Sequence, residues 1–470
     1  MFQKINLRGG WRRSGVGNVA ALLLLTCAGQ AQSPSANAPK FKRASDAEIR
    51  KHIDRAWVTK AFLDDMMDHW LQASVMPSGF IQENLDRQWK PWGSQREASL
   101  NGQGRMLYTF VEAYKVSRDK KYLDAVTRCA DFLMKMHDDQ YGGYYNRVLP
   151  DFKVVDDTKT GFTSFAIFPL AHAYIATNDP KYKNAAMQAW AEVRDKMRDG
   201  QFFQNSMKRD FSGPAPMNFG GARGGPSTAA AGAPGRAPGG AQGRGFAARR
   251  HGLNVHMFEA LLALYQATHD QSVWKEITGE MAMMEKLYNY DLGYLPEGFD
   301  ENWKAPAPTS FNVGHLFEWA SLFSRAVELG ADPKFIPLGS RSIDLAIKVG
   351  YDQKDGATWM NAGADGTIAR KYMIWWTECE TMKATARYAI LHGRSDLWPY
   401  FDRTLAFVKK NFMDPEYGGW FEGVIPGEPR EALGERAYIK GAVDGPELSA
   451  YHQTTFFVDL LHLTDPAASR

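Results

Sequence analysis

The stretch YGGWFEGV (Tyr417–Val424) and two similar stretches, YGGYYNRV (Tyr141–Val148) and LGYLPEGFD (Leu292–Asp300), decide how the chain folds. In each of them, glycine precedes aromatic residues. Glycine permits the positive φ of a tight turn, and the alternating aromatic residues that follow favour a short β-hairpin. Because this theme returns along the chain, we interpret the three stretches as repeated connectors between pairs of helices.

The segments between these connectors are helical almost throughout. Apolar residues recur at spacings of three and four, and the alternating runs typical of strands are scarce. The pattern predicts about twelve helices, near residues 45–73, 98–117, 121–137, 160–177, 181–198, 252–268, 271–289, 310–329, 334–349, 374–392, 395–412 and 447–463. Tight links such as ATNDPKY (Ala176–Tyr182) join them in pairs. We therefore predict an all-α ring of about six helical hairpins with an inner and an outer layer; an open solenoid is the alternative.

Residues 1–31 are predicted to be a secretory signal peptide. Four basic residues and no acidic ones precede the apolar run VAALLLLTCAGQA (Val19–Ala31), which is too short to span a bilayer as a stable helix. We expect a periplasmic or secreted protein without a membrane span; a lipid anchor at Cys27 is the alternative. Residues 32–44 are expected to be a flexible segment, and residues 45–465 a single domain.

Residues 212–250 interrupt the helical pattern. This stretch is rich in Gly, Pro, Ala and Arg and has few large apolar residues, so it is predicted to be a flexible insertion. A linker between two domains is the alternative. Helical hairpins continue at the same spacing on both sides, which favours an insertion within one domain.

Charge and cysteine content exclude several classes of function. The formal net charge of +3 becomes −1 when the four signal-peptide cations are removed, so nothing indicates nucleic acid or an anionic membrane as a partner. Only Cys129 and Cys379 then remain. They form neither a disulfide framework nor a zinc motif.

Unusual polar residues lie in the first two turns of the even-numbered predicted helices. These residues are Arg105 in the second helix, His256 and Glu259 in the sixth, His315 and Glu318 in the eighth, Trp375, Trp376, Glu378 and Glu380 in the tenth, and His452 in the twelfth. If the even helices form the inner ring, these side chains converge at one end of it. Helix N-termini add positive potential there, which would stabilise a developing oxyanion.

Each of these residues also has a simpler structural explanation. A single histidine on an apolar helix is commonly a hydrogen-bonded core residue, and we interpret His172 and His462 in that way. His315 and His256 differ because each has a glutamate three positions later, on the same helical face, that could orient the imidazole. Arg105 could instead be a buried structural ion pair, and the tryptophan pair could be core filling.

A metal site is a further alternative. Three histidines and two glutamates could ligate a divalent ion. However, the order His-x-x-Glu is the reverse of the Glu-x-x-His motif found in di-iron bundles. We therefore predict no metal and no cofactor.

Six segments together resemble the N-acylglucosamine 2-epimerase family, which includes cellobiose and mannobiose 2-epimerases and mannose isomerases. They are QGRMLYTF (Gln103–Phe110), NVHMFEALLALY (Asn254–Tyr265), LGYLPEGFDENWKAP (Leu292–Pro306) followed by GHLFEW (Gly314–Trp319), KYMIWWTECETMKA (Lys371–Ala384), YGGWFEGV, and the pair Tyr451–His452. The resemblance implies an (α/α)6 barrel. It also implies a reducing mono- or disaccharide as substrate, and leaves open whether the protein is a monomer or a homodimer.

The resemblance also implies roles for individual residues. His315 and His452 match the acid/base histidines, and His256, Glu259 and Glu318 match residues that support them. Arg105, Trp376 and Glu380 match sugar contacts, and Trp375 is included with its neighbour as a substrate-binding residue. The implied reaction is epimerisation or aldose–ketose isomerisation at C2 of a reducing-end hexose, by two-histidine proton transfer through a cis-enediolate.

Two departures from the family pattern affect the sugar-holding wall. Phe162 stands where a tyrosine hydroxyl is expected, and KGAVDGPELSAYH (Lys440–His452) lacks a tryptophan before the last histidine. Two other functions therefore stay open. One is a glycosidase or lyase on a related barrel that uses Glu318, Glu380 or Glu378, and the other is an exported sugar-binding protein without catalysis.

Overall fold

The structure is a computed structural model that describes residues 43–92, 97–216, 251–440 and 450–465. The predicted signal peptide and most of the predicted insertion lie outside these residues. All of the described residues fall within one unit, residues 39–470.

Fourteen α-helical segments lie within the described residues. They are α1 Asp46–His52, α2 Arg55–Phe62, α3 Asp68–Ser74, α4 Leu100–Ser117, α5 Lys120–Met134, α6 Ser164–Thr177, α7 Pro180–Lys196, α8 Val255–Thr268, α9 Gln271–Leu287, α10 Val313–Glu328, α11 Phe335–Gly350, α12 Trp375–Leu391, α13 Trp398–Asn411 and α14 Tyr451–Leu463. The first predicted helix, 45–73, is divided, because Asp54 is extended and caps α2 by accepting hydrogen bonds from the amides of Ala56 and Trp57.

Helices α4, α6, α8, α10, α12 and α14 form an inner ring. Each packs against the next, and α14 packs back against α4, so the ring closes. Helix α12 is buried along its whole length, as expected for a helix surrounded by other helices. The closed ring agrees with the prediction and removes the open solenoid as an alternative.

The outer layer consists of α2 and α3, joined by the π-helical turn Leu63–Met67, together with α5, α7, α9, α11 and α13. Helix α2 packs against α14, and each of α5, α7, α9, α11 and α13 packs against the inner helix that precedes it in the chain. This alternation of inner and outer helices is the (α/α)6 barrel that the resemblance implied.

Fifteen short strands lie among the described residues. They are β1 Ala98–Ser99, β2 Arg147–Val148, β3 Val154–Asp156, β4 Lys159–Thr160, β5 Arg198–Asp199, β6 Phe202–Phe203, β7 Ser206–Met207, β8 His251–Gly252, β9 Gly298–Phe299, β10 Ser310–Asn312, β11 Tyr351–Asp352, β12 Ala357–Thr358, β13 Asn361–Gly363, β14 Met373–Ile374 and β15 Gly423–Val424. All of their pairings are antiparallel.

The strands extend the predicted connectors in an unexpected way. The connectors turn as predicted, with Gly142 and Gly143 at positive φ and a bridge between His137 and Tyr144. The strand after the turn then pairs with the strand that leads into the preceding inner helix: β2 with β1, β9 with β8 and β15 with β14. Strands β7 and β13 pair in the same way with β4 and β10. Each ladder thus places a connector beside the beginning of the inner helix of its own hairpin.

The inner helices end around a cavity of about 630 Å³ lined by charged side chains. Arg387 pairs there with Glu328 and Asp459. His172 and His462, which we interpreted as core residues, line this cavity. Among the described residues, no helix combines the length and the apolar character needed to cross a membrane.

Candidate active site

The structure brings the predicted polar residues together where the inner helices begin. The imidazole rings of His315 and His452 lie 5.3 and 5.5 Å from the ring of Trp376, measured between centroids. The rings of His256 and His452 lie 6.4 Å apart. Side chains from α8, α10, α12 and α14 therefore meet at one place, as the sequence pattern predicted.

Arg105 of α4 lies at the centre of this cluster and is buried. Its Nη2 donates to Nε2 of His256 over 2.9 Å, and its Nη1 lies 3.4 Å from Nε2 of His452. The guanidinium packs against the rings of Phe165 and Tyr451, 4.6 and 4.7 Å from their centroids. Because a guanidinium can only donate, Nε2 accepts in both histidines and the ring proton is on Nδ1.

The imidazole of His452 is hydrogen-bonded to a carboxylate that belongs to a buried ion pair. Its Nδ1 donates to Oε1 of Glu380 over 2.9 Å, and Oε2 of Glu380 lies 2.6 Å from Nζ of Lys383. The side chain of Glu380 has no exposed surface. Its position differs from the prediction, because Glu380 contacts the histidine instead of a site where a sugar could bind.

His315 is oriented by a residue from outside its own helix. Its Nδ1 donates to Oε1 of Glu297 over 2.6 Å, and Glu297 belongs to the connector that follows α9. The prediction that Glu318 orients His315 is wrong. Glu318 lies one turn deeper in the barrel, is buried, and has Oε1 3.8 Å from Nδ1 of His256.

His256 and its two neighbouring carboxylates form the floor of the cluster. Oε2 of Glu259 lies 3.6 Å from Nδ1 of His256, and the hydroxyl of Tyr451 donates to the same carboxylate oxygen. Burial lowers the pKa of His256 to about 4, and the positive charge of Arg105 acts in the same direction. The two predicted supporting residues on α8 therefore lie together, as their spacing indicated.

The buried carboxylates carry different charges. Burial raises the pKa of Glu318 to about 8, and the nearby carboxylate of Glu380 raises it further, so Glu318 is protonated at neutral pH. Burial also opposes ionisation of Glu259, but its hydrogen bonds and the cations around it outweigh burial and lower its pKa. A protonated and an ionised carboxyl group thus lie side by side.

His452 is held in its neutral form. Burial lowers its pKa well below the ordinary value, and the positive charges of Arg105 and Lys383 add to the effect. Burial opposes the charge of Lys383, but the carboxylates of Glu380, Glu318 and Glu259 raise its pKa above the ordinary value. At neutral pH, His452 is therefore an unprotonated imidazole with its Nε2 lone pair directed toward Arg105.

The predicted tryptophan pair divides between two environments. Trp376 lies close to the rings of His315 and His452, whereas Trp375 is 1% exposed and belongs to the hydrophobic core. For Trp375 the core-filling alternative therefore describes its position better than a sugar contact. Of the departures from the family pattern, Phe162 lies in the 3₁₀ turn Gly161–Thr163 before α6, and residues 441–449 lie outside the described residues.

Two sets of residues have the spacing of metal ligands. His256, Glu259 and Glu318 form one, and Glu318, Glu380 and His452 form the other. In both sets the histidine atom nearest the carboxylates is Nδ1, which bears the ring proton because Arg105 donates to Nε2. A metal ligand must be deprotonated, and the ammonium of Lys383 already neutralises Glu380. The chemistry of these donors favours proton sharing over metal coordination.

Four contributors to the cluster were not predicted from the sequence, namely Glu297, Lys383, Tyr451 and Phe165. Lys383 could have been found, because it lies three positions after Glu380 on the same helix. Glu297 and Tyr451 lie inside segments that carry the family resemblance, but no spacing rule singled them out. Nothing in the sequence distinguished Phe165 from other apolar residues.

The family model of N-acylglucosamine 2-epimerase (GlcNAc 2-epimerase) matches residues 48–221 and 241–433 of the chain. The chain belongs to the N-acylglucosamine 2-epimerase family. The matched ranges omit residues 222–240, which lie inside the stretch predicted to be an insertion.

Relatives in the N-acylglucosamine 2-epimerase family agree with this assignment. A cellobiose 2-epimerase from Eubacterium cellulosolvens is 25% identical over 68% of this chain and 78% of its own length. A D-mannose isomerase from Marinomonas mediterranea is 20% identical over 67% of this chain and 76% of its own length. The solved structure of cellobiose 2-epimerase from Spirochaeta thermophila has a TM-score of 0.73 at 20% identity. It covers 90% of this chain and 98% of its own, which shows the shared fold.

Proposed function

We propose that the protein is a carbohydrate 2-epimerase or aldose–ketose isomerase that acts at C2 of a reducing-end hexose. The observation that carries this proposal is that the rings of His315 and His452 lie 5.3 and 5.5 Å from the ring of Trp376, centroid to centroid, each with Nδ1 bonded to a carboxylate. Each histidine can therefore use Nε2 to take or return a proton. The similar proteins named as cellobiose 2-epimerase and D-mannose isomerase support the same class of reaction.

In this mechanism one histidine removes the proton from C2 and the other returns a proton to the opposite face. Neutral His452 is ready to act as the base at pH 7. The C2–H bond breaks, a bond from hydrogen to Nε2 of His452 forms, and the electrons remain on the sugar as an enediolate. Protonated His315 then gives its Nε2 proton to C2 from the other side. In the reverse direction the two histidines exchange roles. If a proton returns to C1 instead, and the O2 hydroxyl proton passes to O1 as the C2 carbonyl forms, the product is the ketose.

The enediolate needs positive charge close to its oxygens. Arg105 is a buried cation in contact with His256 and His452. The N-termini of the inner helices contribute partial positive charge at the same end of the barrel. Both groups are fixed before the sugar binds, which is the arrangement that stabilises a developing oxyanion effectively.

The carboxylate-based alternative is less compatible with the geometry. Glycoside cleavage requires two carboxyl groups that flank the scissile bond. Glu318, Glu378 and Glu380 are all buried, and Glu378 accepts a hydrogen bond from the backbone amide of Thr358. Glu380 is in addition bonded to His452 and Lys383.

Proton exchange tests the proposal directly. The purified protein is incubated in D2O with D-mannose or cellobiose, and loss of the C2–H signal is followed by NMR. We expect deuterium uptake at C2 in the wild type, insensitivity to a chelator, and losses of about 100-fold or more in His315→Ala and His452→Ala. Full exchange in both variants would overturn the assignment. Bond cleavage would identify a glycosidase, and line broadening without exchange would identify a binding protein.

A further inference from the structure

We propose that Glu297 is a positioning residue for His315, which fixes the ring tautomer and stabilises the protonated ring. This inference rests on the proposed function, because it assigns His315 a role in proton transfer. Neither the helical spacing of the sequence nor the roles implied by the family resemblance pointed to Glu297.

The contact between the two side chains is short and specific. Nδ1 of His315 lies 2.6 Å from Oε1 of Glu297, which is short even for a charge-assisted hydrogen bond. The exposed fractions of the two side chains are 28% and 32%. The pair therefore lies at the open side of the cluster, whereas the Glu380 pair that supports His452 is buried.

The backbone of Glu297 is anchored to a second inner helix. Its carbonyl oxygen accepts a hydrogen bond from the amide of Leu253, which directly precedes the Asn254 cap of α8. The next two residues form β9, which pairs with β8. The main chain of Glu297 is thus fixed relative to the helix that carries His256, while its side chain reaches His315 on α10.

A contact at the other ring nitrogen agrees with the same tautomer. The amide nitrogen Nδ2 of Asn312 lies 3.5 Å from Nε2 of His315. An amide nitrogen only donates, which is compatible with a proton on Nδ1, where Glu297 accepts it. When Nε2 takes the C2 proton, the negative charge of Glu297 stabilises the imidazolium that forms. Nδ1–H stays bonded to Glu297 throughout, so no further proton moves in this step.

Three variants test this role. Glu297→Gln keeps the shape and removes the charge, Glu297→Asp keeps the charge and shortens the reach, and Glu428→Gln is a control at an exposed glutamate of another loop. We expect Glu297→Gln to lower the rate of C2–H exchange by about 10- to 100-fold with a smaller change in KM. We expect Glu297→Asp to recover part of the rate, and the control to match the wild type.

The pH profile separates positioning from a merely structural role. Loss of the carboxylate removes stabilisation of the protonated ring, so the limb of kcat/KM that belongs to His315 should move to lower pH in Glu297→Gln. A loss of rate with an unmoved pH profile and a lower unfolding temperature would show a structural role and overturn the proposal.

A second measurement does not depend on activity. The 15N shifts of the His315 imidazole should report Nδ1–H in the wild type and a mixture of tautomers in Glu297→Gln. If the wild type exchanged no sugar proton, the proposed function would fail, yet these shifts would still show whether Glu297 sets the tautomer. Shifts and exchange rates that are the same in both proteins would refute the role of Glu297.

Discussion

Arg105 donates a 2.9 Å hydrogen bond to Nε2 of His256, and this contact fixes the tautomer of that ring. The same guanidinium lies against Nε2 of His452. Both rings must therefore hold their proton on Nδ1, which turns Nδ1 toward the carboxylates beneath them. One cation thus determines which nitrogen of each ring is available for chemistry.

Arg105→Lys should lower activity strongly without unfolding the protein. A lysine ammonium is a single point and cannot donate to two imidazoles in the fixed geometry of a guanidinium. We expect kcat for C2–H exchange to fall by about 100- to 1,000-fold, because a preorganised donor to the oxyanion is lost. Arg118→Lys, at the exposed end of α4, is the matched control. Near-normal exchange in Arg105→Lys would show that the fixed donor geometry of the guanidinium is not needed.

Glu318→Gln should change how stability depends on pH. The pKa of Glu318 is about 8 in the folded protein against an ordinary value of 4.5. Between these two pH values the folded state keeps a proton that the unfolded chain has lost, so wild-type stability decreases as pH rises. The contribution of the protonated group is complete below pH 4.5 and is lost above pH 8.

A glutamine stays neutral at every pH, so the variant should lose less stability across this window. We expect Glu318→Gln to gain stability relative to the wild type as pH rises. The difference between their free energies of unfolding should be about 2 kcal/mol larger at pH 9 than at pH 5. Urea unfolding at a series of pH values measures the difference. Glu285→Gln, at a surface ion pair with Lys334, serves as control. Parallel curves for Glu318→Gln and the wild type would show that Glu318 is ionised in the folded protein.

Gly314→Ala should displace the ring of Trp376, which lies close to both His315 and His452. A Cβ at position 314 would come within 2.3 Å of Cζ3 of Trp376, so the indole would have to move. We expect kcat/KM to fall by about 10- to 100-fold, because small misplacements in an active site are costly. Helix propensity favours alanine by up to about 1 kcal/mol, so stability should change little.

Gly279→Ala on the outer helix α9 is the control for this change. There the added Cβ would meet only the end of the flexible Gln201 side chain. An unchanged kcat/KM in Gly314→Ala would show that the position of Trp376 does not matter for the reaction.

Much of the fold and part of the site could be predicted from the sequence. Helical periodicity is local, so it identified the helices and showed which of them carry unusual polar residues in their first turns. The connectors predicted the turns, although the pairing of β15 with β14 and of β9 with β8 was not foreseen. Such pairings join residues on either side of a helical hairpin, and no local pattern encodes them.

The sequence by itself determined that His256, His315 and His452 lie in the first turns of alternate helices, because helical periodicity is local. Only the tertiary structure decided their partners. His315 bonds to a carboxylate 18 positions away and His452 to one 72 positions away. Those contacts depend on how the ring of helices closes and on how deep each helical turn lies in the barrel. For this reason His315 bonds to Glu297, whereas Glu318 is buried one turn deeper.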